Sequence, residues 1–156
     1  MLPRTLFSEE HEIFRESVRR FVKKEIVPYH DAWEKDGIVS RDVWCAAGAH
    51  GLLCCSVPEE YGGPGGDFLH STIVIEELAK VGASGPAFAL HSDIIAPYIQ
   101  AYGNEEQKHK WLPKAVSGET ILAIGMTEPS AGSDLQAIQT RANRDGNHFV
   151  INGQKV

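Results

Sequence analysis

The spacing of apolar residues changes once along this chain of 156 residues, close to Gly118. Before that point apolar side chains recur every three to four residues, which is the period of an amphipathic helix. After it come a short apolar run at Ile121–Ile124 and an alternation of apolar and polar residues at Ile138–Ala142, which favour strands. The sequence therefore predicts an α+β protein, with an N-terminal all-α helical bundle domain at 1–119 and the first strands of a truncated antiparallel β-domain at 120–156.

Residues that favour helix ends divide the first part into five predicted helices. Short polar side chains can accept hydrogen bonds from the free backbone N–H groups of a first turn. The predicted N-caps are Ser8, Ser40, Asp67 and Asn104, and the predicted stops are Pro28, Gly51, Gly103 and Pro113. The third helix is predicted to present Phe68, Ile75, Leu78 and Ala79 on one face. The core is predicted to contain Phe14, Phe21, Trp44, Phe68, Ile75, Ile95, Ile99 and Trp111.

Two turn signals organise the second part. Asp145-Gly146 and Asn152-Gly153 are typical of type I′ hairpin turns, which need a positive φ at both central residues. The strand between them leads to a third strand that begins at Gln154, so the sequence predicts a β-meander. A strand that begins in the last three residues has no later partner, and we expect the chain to be cut in mid-sheet.

Composition excludes several classes of protein. The 15 basic and 21 acidic side chains give a net charge of -6, which argues against a nucleic-acid-binding protein because such proteins need clustered positive charge. No apolar run approaches the roughly 20 residues that span a bilayer. Residues 1–5 lead into charged residues without the apolar stretch of a signal peptide, so we expect a cytoplasmic location and no membrane partner.

Neither the cysteines nor the histidines have metal-ligand spacing. Cys45, Cys54 and Cys55 are odd in number, and two of them are adjacent, so we expect reduced thiols that serve packing. The seven histidines are scattered and are interpreted as surface or ordinary core residues. No metal site is predicted.

The segment Gly125–Asp134 is the strongest candidate for chemistry. It joins two predicted strands and offers small residues, the hydroxyl groups of Thr127 and Ser133, and free backbone N–H groups that suit a phosphate or the polar edge of a ring. It matches neither the dinucleotide-binding glycine motif nor the P-loop. A connection in which these residues only form turns explains the pattern equally well.

The same segment, continued by Leu135-Gln136-Ala137, resembles the signature of acyl-CoA dehydrogenases. The resemblance extends along the chain and looks most like the long-chain branch. The other segments that carry it are Gly51–Leu53, Pro58–Gly63, Gly103–Lys108 and Ile151–Lys155. It implies a helical N-terminal domain, a middle β-domain and a C-terminal helical domain, of which this chain holds the first and the start of the second.

The resemblance also implies a site for FAD along the loop. The residues expected to bind FAD are Ile124, Gly125, Met126, Thr127, Gly132 and Ser133. Met126 and Thr127 are expected near the pyrimidine side of the flavin ring, and Gly132 and Ser133 near the pyrophosphate. Ser133 is also expected to contact the thioester substrate, whereas Glu128 and Pro129 are expected to shape the loop.

The reaction implied is the α,β-dehydrogenation of an acyl-CoA thioester. The family's base is a glutamate of the C-terminal domain, expected beyond Val156, and no catalytic residue is assigned to Glu128 or Asp134. We therefore expect the 156-residue chain alone to be inactive. The resemblance further implies electron-transfer flavoprotein as the electron acceptor and a tetramer as the assembly.

Other functions fit parts of the sequence. Acyl-CoA oxidases and some flavin monooxygenases share the implied fold, and a non-enzymatic helical module for binding or assembly would use the loop only as a turn. The glycine-rich stretch at Tyr61–Gly66 and the basic cluster at Lys108–Lys110 could contact phosphate, but a structural turn and a solvated helix face are the favoured interpretations.

Overall fold

A computed structural model describes residues 5–156. The chain divides into two compact units, a helical unit that runs to Leu122 and a second unit from Ala123 to Val156. Residues 1–4, on which the prediction of a missing signal peptide mainly rests, lie outside the described residues. Within the described part, none of the helices is long and apolar enough to cross a membrane. Helices followed by an antiparallel strand pair confirm the predicted α+β class.

Over its described residues, 5–122, the helical unit contains six α-helices and several shorter helical turns. The α-helices are α1 (Glu9–Phe21), α2 (His30–Asp36), α3 (Arg41–Ala49), α4 (Phe68–Lys80), α5 (Ala96–Tyr102) and α6 (Glu105–Val116). Two π-helical turns lie next to them, Val22–Ile26 after α1 and Leu90–Ile95 before α5, and a 3₁₀ turn spans Glu59–Tyr61.

All four predicted N-caps are confirmed. The Ser8, Asp67 and Asn104 side chains each accept a hydrogen bond from the backbone N–H of the residue three positions later. The side chain of that later residue in turn accepts the backbone N–H of the capping residue. Ser40 accepts from the amide of Asp42 at 3.2 Å. These bonds satisfy N–H groups that a helix cannot satisfy itself, which explains why local sequence predicted the helix starts well.

Two helix predictions are wrong. α2 was not predicted because it has only seven residues, too few to show a period; it ends at Gly37, which takes the left-handed conformation. Pro113 does not break α6, which continues to Val116. Leu112, Ala115 and Val116 are buried on both sides of this proline, and their packing offsets the hydrogen bond that proline cannot donate.

The face that α4 buries also differs from the prediction. Phe68 and Ile75 are 65% and 40% exposed, and the buried residues of α4 are Ser71, Ile73, Val74, Glu77 and Leu78. Of the other predicted core residues, Phe21, Trp44 and Ile95 are buried, Phe14 and Ile99 are partly buried, and Trp111 is exposed.

An ionic network explains why a glutamate of α4 faces the interior. Glu77 is 3% exposed and accepts hydrogen bonds from Arg19 Nε at 3.0 Å and Lys80 Nζ at 2.5 Å. Arg15 of α1, also buried, bonds Glu76 at 2.6 Å and Glu77 at 3.4 Å. Burial alone would raise the pKa of Glu77, but the bonds from Arg19 and Lys80 outweigh it and lower the pKa. These pairs join α1 to α4.

The carboxyl end of α6 lies against α3 at a distance that only glycine permits. A Cβ atom on Gly48 would overlap the carbonyl group of Ser117 and lie 2.7 Å from the carbonyl oxygen of Val116. Gly118, with φ of +77°, would overlap the carbonyl group of Trp44 in the same way. The two backbones are therefore in direct contact.

The second unit contains one hairpin. Strands β1 (Arg141–Asp145) and β2 (His148–Asn152) pair antiparallel, with Asp145 opposite His148. Gly146 has φ of +58°, but Asn147 does not share the positive φ that the predicted type I′ turn requires. The hairpin at Asp145-Gly146 is confirmed and its predicted turn type is wrong.

The rest of the predicted meander is absent from the described residues. Ile121–Ile124 forms no strand, and Asn152-Gly153 does not turn the chain into a third strand. A strand needs a neighbour to receive its hydrogen bonds, and neither segment has one. Instead, the backbone N–H of Val156 donates to the carbonyl of Thr127 at 3.0 Å.

Gly48→Ala tests the close approach of α3 and α6. A Gly-to-Ala change inside a helix usually stabilises by about 1 kcal/mol. Here we expect the free energy of unfolding to fall by about 1–3 kcal/mol, because the methyl group must displace the backbone at Ser117. Urea denaturation followed by tryptophan fluorescence measures it. Ala49→Gly, at an exposed neighbouring position, is the control and should cost less than about 1 kcal/mol. A Gly48→Ala chain as stable as the parent would contradict the prediction.

Candidate functional site

All six predicted cofactor-binding residues lie on one irregular segment of the second unit. The segment runs from Ala123 to Asp134 and ends at a 3₁₀ turn, Leu135–Ala137. Five of the six, namely Ile124, Gly125, Thr127, Gly132 and Ser133, are exposed, and Met126 is half-buried. We call the segment 124–133 the donor loop.

Glu128 holds the donor loop in shape. The residue is 5% exposed, and its carboxylate accepts the backbone N–H groups of Gln139 at 2.7 Å and Thr140 at 3.0 Å. Lys155 Nζ lies 2.9 Å from the same carboxylate. One side chain therefore connects the loop to the residue pair before β1 and to the end of the chain.

A tight turn follows within the loop. The backbone of Glu128 exchanges two hydrogen bonds with Ala131, from Glu128 N at 2.9 Å and from Ala131 N at 3.1 Å. Pro129 has the fixed φ that suits the second position of such a turn. Ala131 is buried beneath the turn, at 1% exposure, so the chain re-emerges at Gly132 and Ser133.

Lys155 and Val156 fix the other half of the loop. Lys155 Nζ donates to the carbonyl oxygen of Met126 at 3.1 Å, and Val156 N donates to that of Thr127 at 3.0 Å. Sequence reasoning assigned no role to Lys155. Its partner Met126 lies 29 positions away in sequence, so no local pattern could have predicted the contact.

The donor loop has more hydrogen-bond donors than the protein uses. Among residues 5–156, the backbone N–H groups of Met126, Thr127, Gly132 and Ser133 donate to no protein acceptor, and neither do the hydroxyl groups of Thr127 and Ser133. A Cβ atom on Gly132 would have no neighbour within 4 Å, so a ligand can approach its backbone. These donors fit a ligand that is rich in acceptors, such as a pyrophosphate or the pyrimidine edge of a flavin.

Neither acidic residue near the loop is arranged as a general base. Hydrogen bonds from Thr140, Gln139 and Lys155 lower the pKa of Glu128 to about 2. A carboxylate so strongly held as an anion is a poor proton acceptor near neutral pH. Asp134 is exposed and accepts the backbone N–H of Gln136 at 3.1 Å, as the cap of the 3₁₀ turn.

The other candidates from the sequence have structural roles. In the glycine-rich stretch, the amides of Gly63, Gly65 and Gly66 donate to backbone carbonyls, so they are not free for phosphate. Lys108 is paired with Glu105 at 2.9 Å. Cys54 and Cys55 are buried free thiols, and burial raises the pKa of each to about 12, which makes them unreactive.

Comparison with known proteins identifies the family. Residues 8–119 match the acyl-CoA dehydrogenase N-terminal domain, and residues 123–156 match the acyl-CoA dehydrogenase middle domain. The helical unit therefore matches the first of these domains, and the unit that contains the donor loop and the hairpin matches the second. The chain belongs to the acyl-CoA dehydrogenase family.

Individual relatives agree with this assignment. The long-chain specific acyl-CoA dehydrogenase, mitochondrial, of Rattus norvegicus is 51% identical over 98% of this chain. The crystal structure of an acyl-CoA dehydrogenase from Geobacillus kaustophilus matches 98% of this chain with a TM-score of 0.91 and 51% identity, and the match covers 40% of the Geobacillus chain. The crystal structure of an acyl-CoA dehydrogenase complexed with FAD from Bacillus anthracis matches 99% of this chain with a TM-score of 0.88 and 36% identity, and the match covers 27% of the Bacillus chain. The chain spans 36% of the length of the rat relative.

The carboxylate of Glu128 should make the loop sensitive to acid. Its pKa of about 2 lies below the ordinary value of 4.5, so its contribution to stability is complete above about pH 4.5 and is lost as the pH falls towards 2. We expect the amide NMR signals of Gln139 and Thr140 to move over this range. In Glu128→Gln they should not titrate, and in the control Asp134→Asn they should titrate as in the parent. Titration of these amides in Glu128→Gln would contradict the assignment.

Proposed function

We propose that this chain carries the N-terminal helical domain and the flavin-binding loop of an FAD-dependent acyl-CoA dehydrogenase. The observation that carries the proposal is the donor loop, whose unused N–H and hydroxyl groups are held in place by Glu128 and Lys155. The proposed domain boundary lies between residues 119 and 120. The proposal covers the activity of a protein about three times as long as this chain, as its relatives are.

The donors of the loop are proposed to bind FAD in two groups. Ile124, Gly125, Met126 and Thr127 lie towards the flavin ring, where the Met126 and Thr127 amides and the Thr127 hydroxyl donate to the pyrimidine edge. Gly132 and Ser133 donate to the pyrophosphate, where the lack of a side chain on Gly132 permits close approach. Bound FAD supplies the two-electron redox chemistry of such an enzyme.

Ser133 is proposed to serve the substrate as well. Its hydroxyl makes no bond within the described chain and is exposed, so it is free to donate to the carbonyl oxygen of an acyl-CoA thioester. Polarising that carbonyl favours loss of the neighbouring α-proton. The base that removes the proton is proposed to come from beyond Val156, because Glu128 is held as an anion by its partners.

The partners and location follow from the proposed activity. We propose an acyl-CoA thioester as the substrate, electron-transfer flavoprotein as the electron acceptor, and a tetramer as the assembly. The 51% identity to the rat protein supports the long-chain branch. The cytoplasmic location stays a prediction, and the mitochondrial name of the rat relative points to another compartment.

A chimaera tests the proposal in a working context. These 156 residues replace the matching part of the Geobacillus kaustophilus protein, to which they are 51% identical. We expect the chimaera to purify with bound FAD and to dehydrogenate acyl-CoA with an artificial electron acceptor. Thr127→Ala should reduce the bound flavin, measured by absorbance against protein, because it removes a donor. Ser130→Ala, in the same loop but outside the assigned set, is the control. A folded chimaera without FAD would overturn the proposal.

The 156-residue chain by itself should be inactive. Glu128 is held as an anion by its partners, Asp134 caps a 3₁₀ turn, and the second unit is a single hairpin with unpaired edges. We expect circular dichroism to show a mainly helical protein, the purified chain to be colourless, and acyl-CoA turnover to stay at background. Stoichiometric FAD with measurable turnover would show that the chain contains a base.

A further inference from the structure

Three potential metal ligands meet where α1 and α4 begin. His11 belongs to the first turn of α1, Asp67 is the N-cap of α4, and His70 lies in the first turn of α4. His11 Nε2 lies 3.1 Å from Asp67 Oδ1, and His70 Nδ1 lies 2.8 Å from the same oxygen. One ligand atom from each residue lies within 4.8 Å of the other two.

These distances match the edges of a metal coordination sphere. Zn²⁺ binds imidazole nitrogen and carboxylate oxygen at about 2.0–2.2 Å, which puts neighbouring ligand atoms about 3 Å apart. Both histidine nitrogens already lie at about that distance from the same carboxylate oxygen. Two imidazoles and one carboxylate favour zinc and similar ions over Mg²⁺ or Ca²⁺, which prefer oxygen ligands.

We propose that His11, Asp67 and His70 form a binding site for a divalent transition-metal ion such as Zn²⁺. The ligand atoms are His11 Nε2, a carboxylate oxygen of Asp67 and His70 Nδ1. The two imidazole side chains are 11% and 15% exposed, whereas Asp67 is 55% exposed. Solvent can therefore reach the open side of the site and complete the coordination.

His70 Nδ1 and the carboxylate of Asp67 lie close enough to bind one cation. His70 Nδ1 lies 3.2 Å from the backbone N of Asp67 and 2.8 Å from its carboxylate oxygen. A lone pair on Nδ1 would accept the backbone N–H but face a negatively charged oxygen. A proton on Nδ1 would satisfy the oxygen but face the N–H. A metal ion bound by both Nδ1 and Oδ1 removes the repulsion between these two acceptors, although the Asp67 N–H then loses its bond to Nδ1.

The surroundings of His11 and Asp67 suit the bound state. Ser8 Oγ lies 2.7 Å from His11 Nδ1, so it can accept the N–H of an imidazole that binds metal through Nε2. Asp67 Oδ2 lies 3.3 Å from His11 Nε2, while Oδ1 accepts the backbone N–H groups of Leu69 at 3.0 Å and His70 at 3.3 Å, so one carboxylate oxygen can bind metal while the other caps α4.

Metal binding competes with two capping bonds. His11 and His70 each accept the backbone N–H of their own N-cap residue, at 3.1 Å and 3.2 Å. A metal ion takes the lone pair of His70 and changes the tautomer of His11, so both helices lose one capping bond. In return the ion connects α1 to α4 and binds only the folded chain, and it should raise the melting temperature.

Titration of the 156-residue chain with Zn²⁺ tests the site. Isothermal titration calorimetry gives the stoichiometry and affinity, and thermal unfolding gives the shift in melting temperature. Asp67→Asn is the decisive variant, because asparagine is as good an N-cap as aspartate and leaves the helix start intact. His11→Gln removes a second ligand. His148→Gln, on an exposed strand, and Cys45→Ser, at the exposed thiol, are the controls.

We expect one Zn²⁺ per chain and a raised melting temperature. Asp67→Asn and His11→Gln should weaken Zn²⁺ binding at least about tenfold. Removal of a residue that only orients a metal ligand already costs about tenfold in affinity, and these two variants remove a ligand itself. The two controls should bind as the parent does. Absence of Zn²⁺ binding by the parent, equal binding by Asp67→Asn, or loss of binding in Cys45→Ser would overturn the proposal.

Discussion

The contact between the backbone of α3 and the end of α6 is the constraint on which the helical unit depends. Gly48 and Gly118 leave no room for a Cβ atom, because the carbonyl group of Ser117 packs against Gly48 and that of Trp44 packs against Gly118. The contact places α6, whose buried residues pack with Cys54, Val57 and Tyr61, beside the larger core around Trp44. It also holds α6 in place near Pro113, where the helix lacks a hydrogen bond.

Electrostatic interactions complete the packing in both units. Glu77 faces the interior of the helical unit because Arg19 and Lys80 bond to its carboxylate, while Arg15 reaches it from α1. In the second unit, Glu128 is buried because two backbone amides and Lys155 satisfy it. Each carboxylate joins segments that are far apart in sequence, and each is stable only because its partners are in place.

The donor loop shows how such a network can serve a ligand. Lys155 Nζ and Val156 N donate to the carbonyl groups of Met126 and Thr127, whereas the N–H groups of Met126, Thr127, Gly132 and Ser133 have no protein acceptor within the described chain. A loop that keeps several donors free can receive an anionic or acceptor-rich group. Its shape depends on residues with no ligand role of their own.

Local interactions made much of this protein predictable from sequence. The N-caps at Ser8, Ser40, Asp67 and Asn104 and the position of the hairpin at Gly146, though not its turn type, were predicted correctly, because each depends on residues within three or four positions. The family was also visible in the sequence, because the segment Gly125–Asp134 is continuous.

Contacts between distant segments could not be predicted in this way. The buried face of α4 depends on Arg15 and Arg19, about 60 positions away, and α6 passes Pro113 only because its flanking residues are buried. The contacts of Lys155 with Met126 and of His11 with Asp67 also join segments that are distant in sequence. The sequence by itself determined where α1, α3, α4 and α6 begin and to which family the chain belongs. Tertiary structure alone decided which faces are buried and which distant charges meet, because those depend on distances that folding creates.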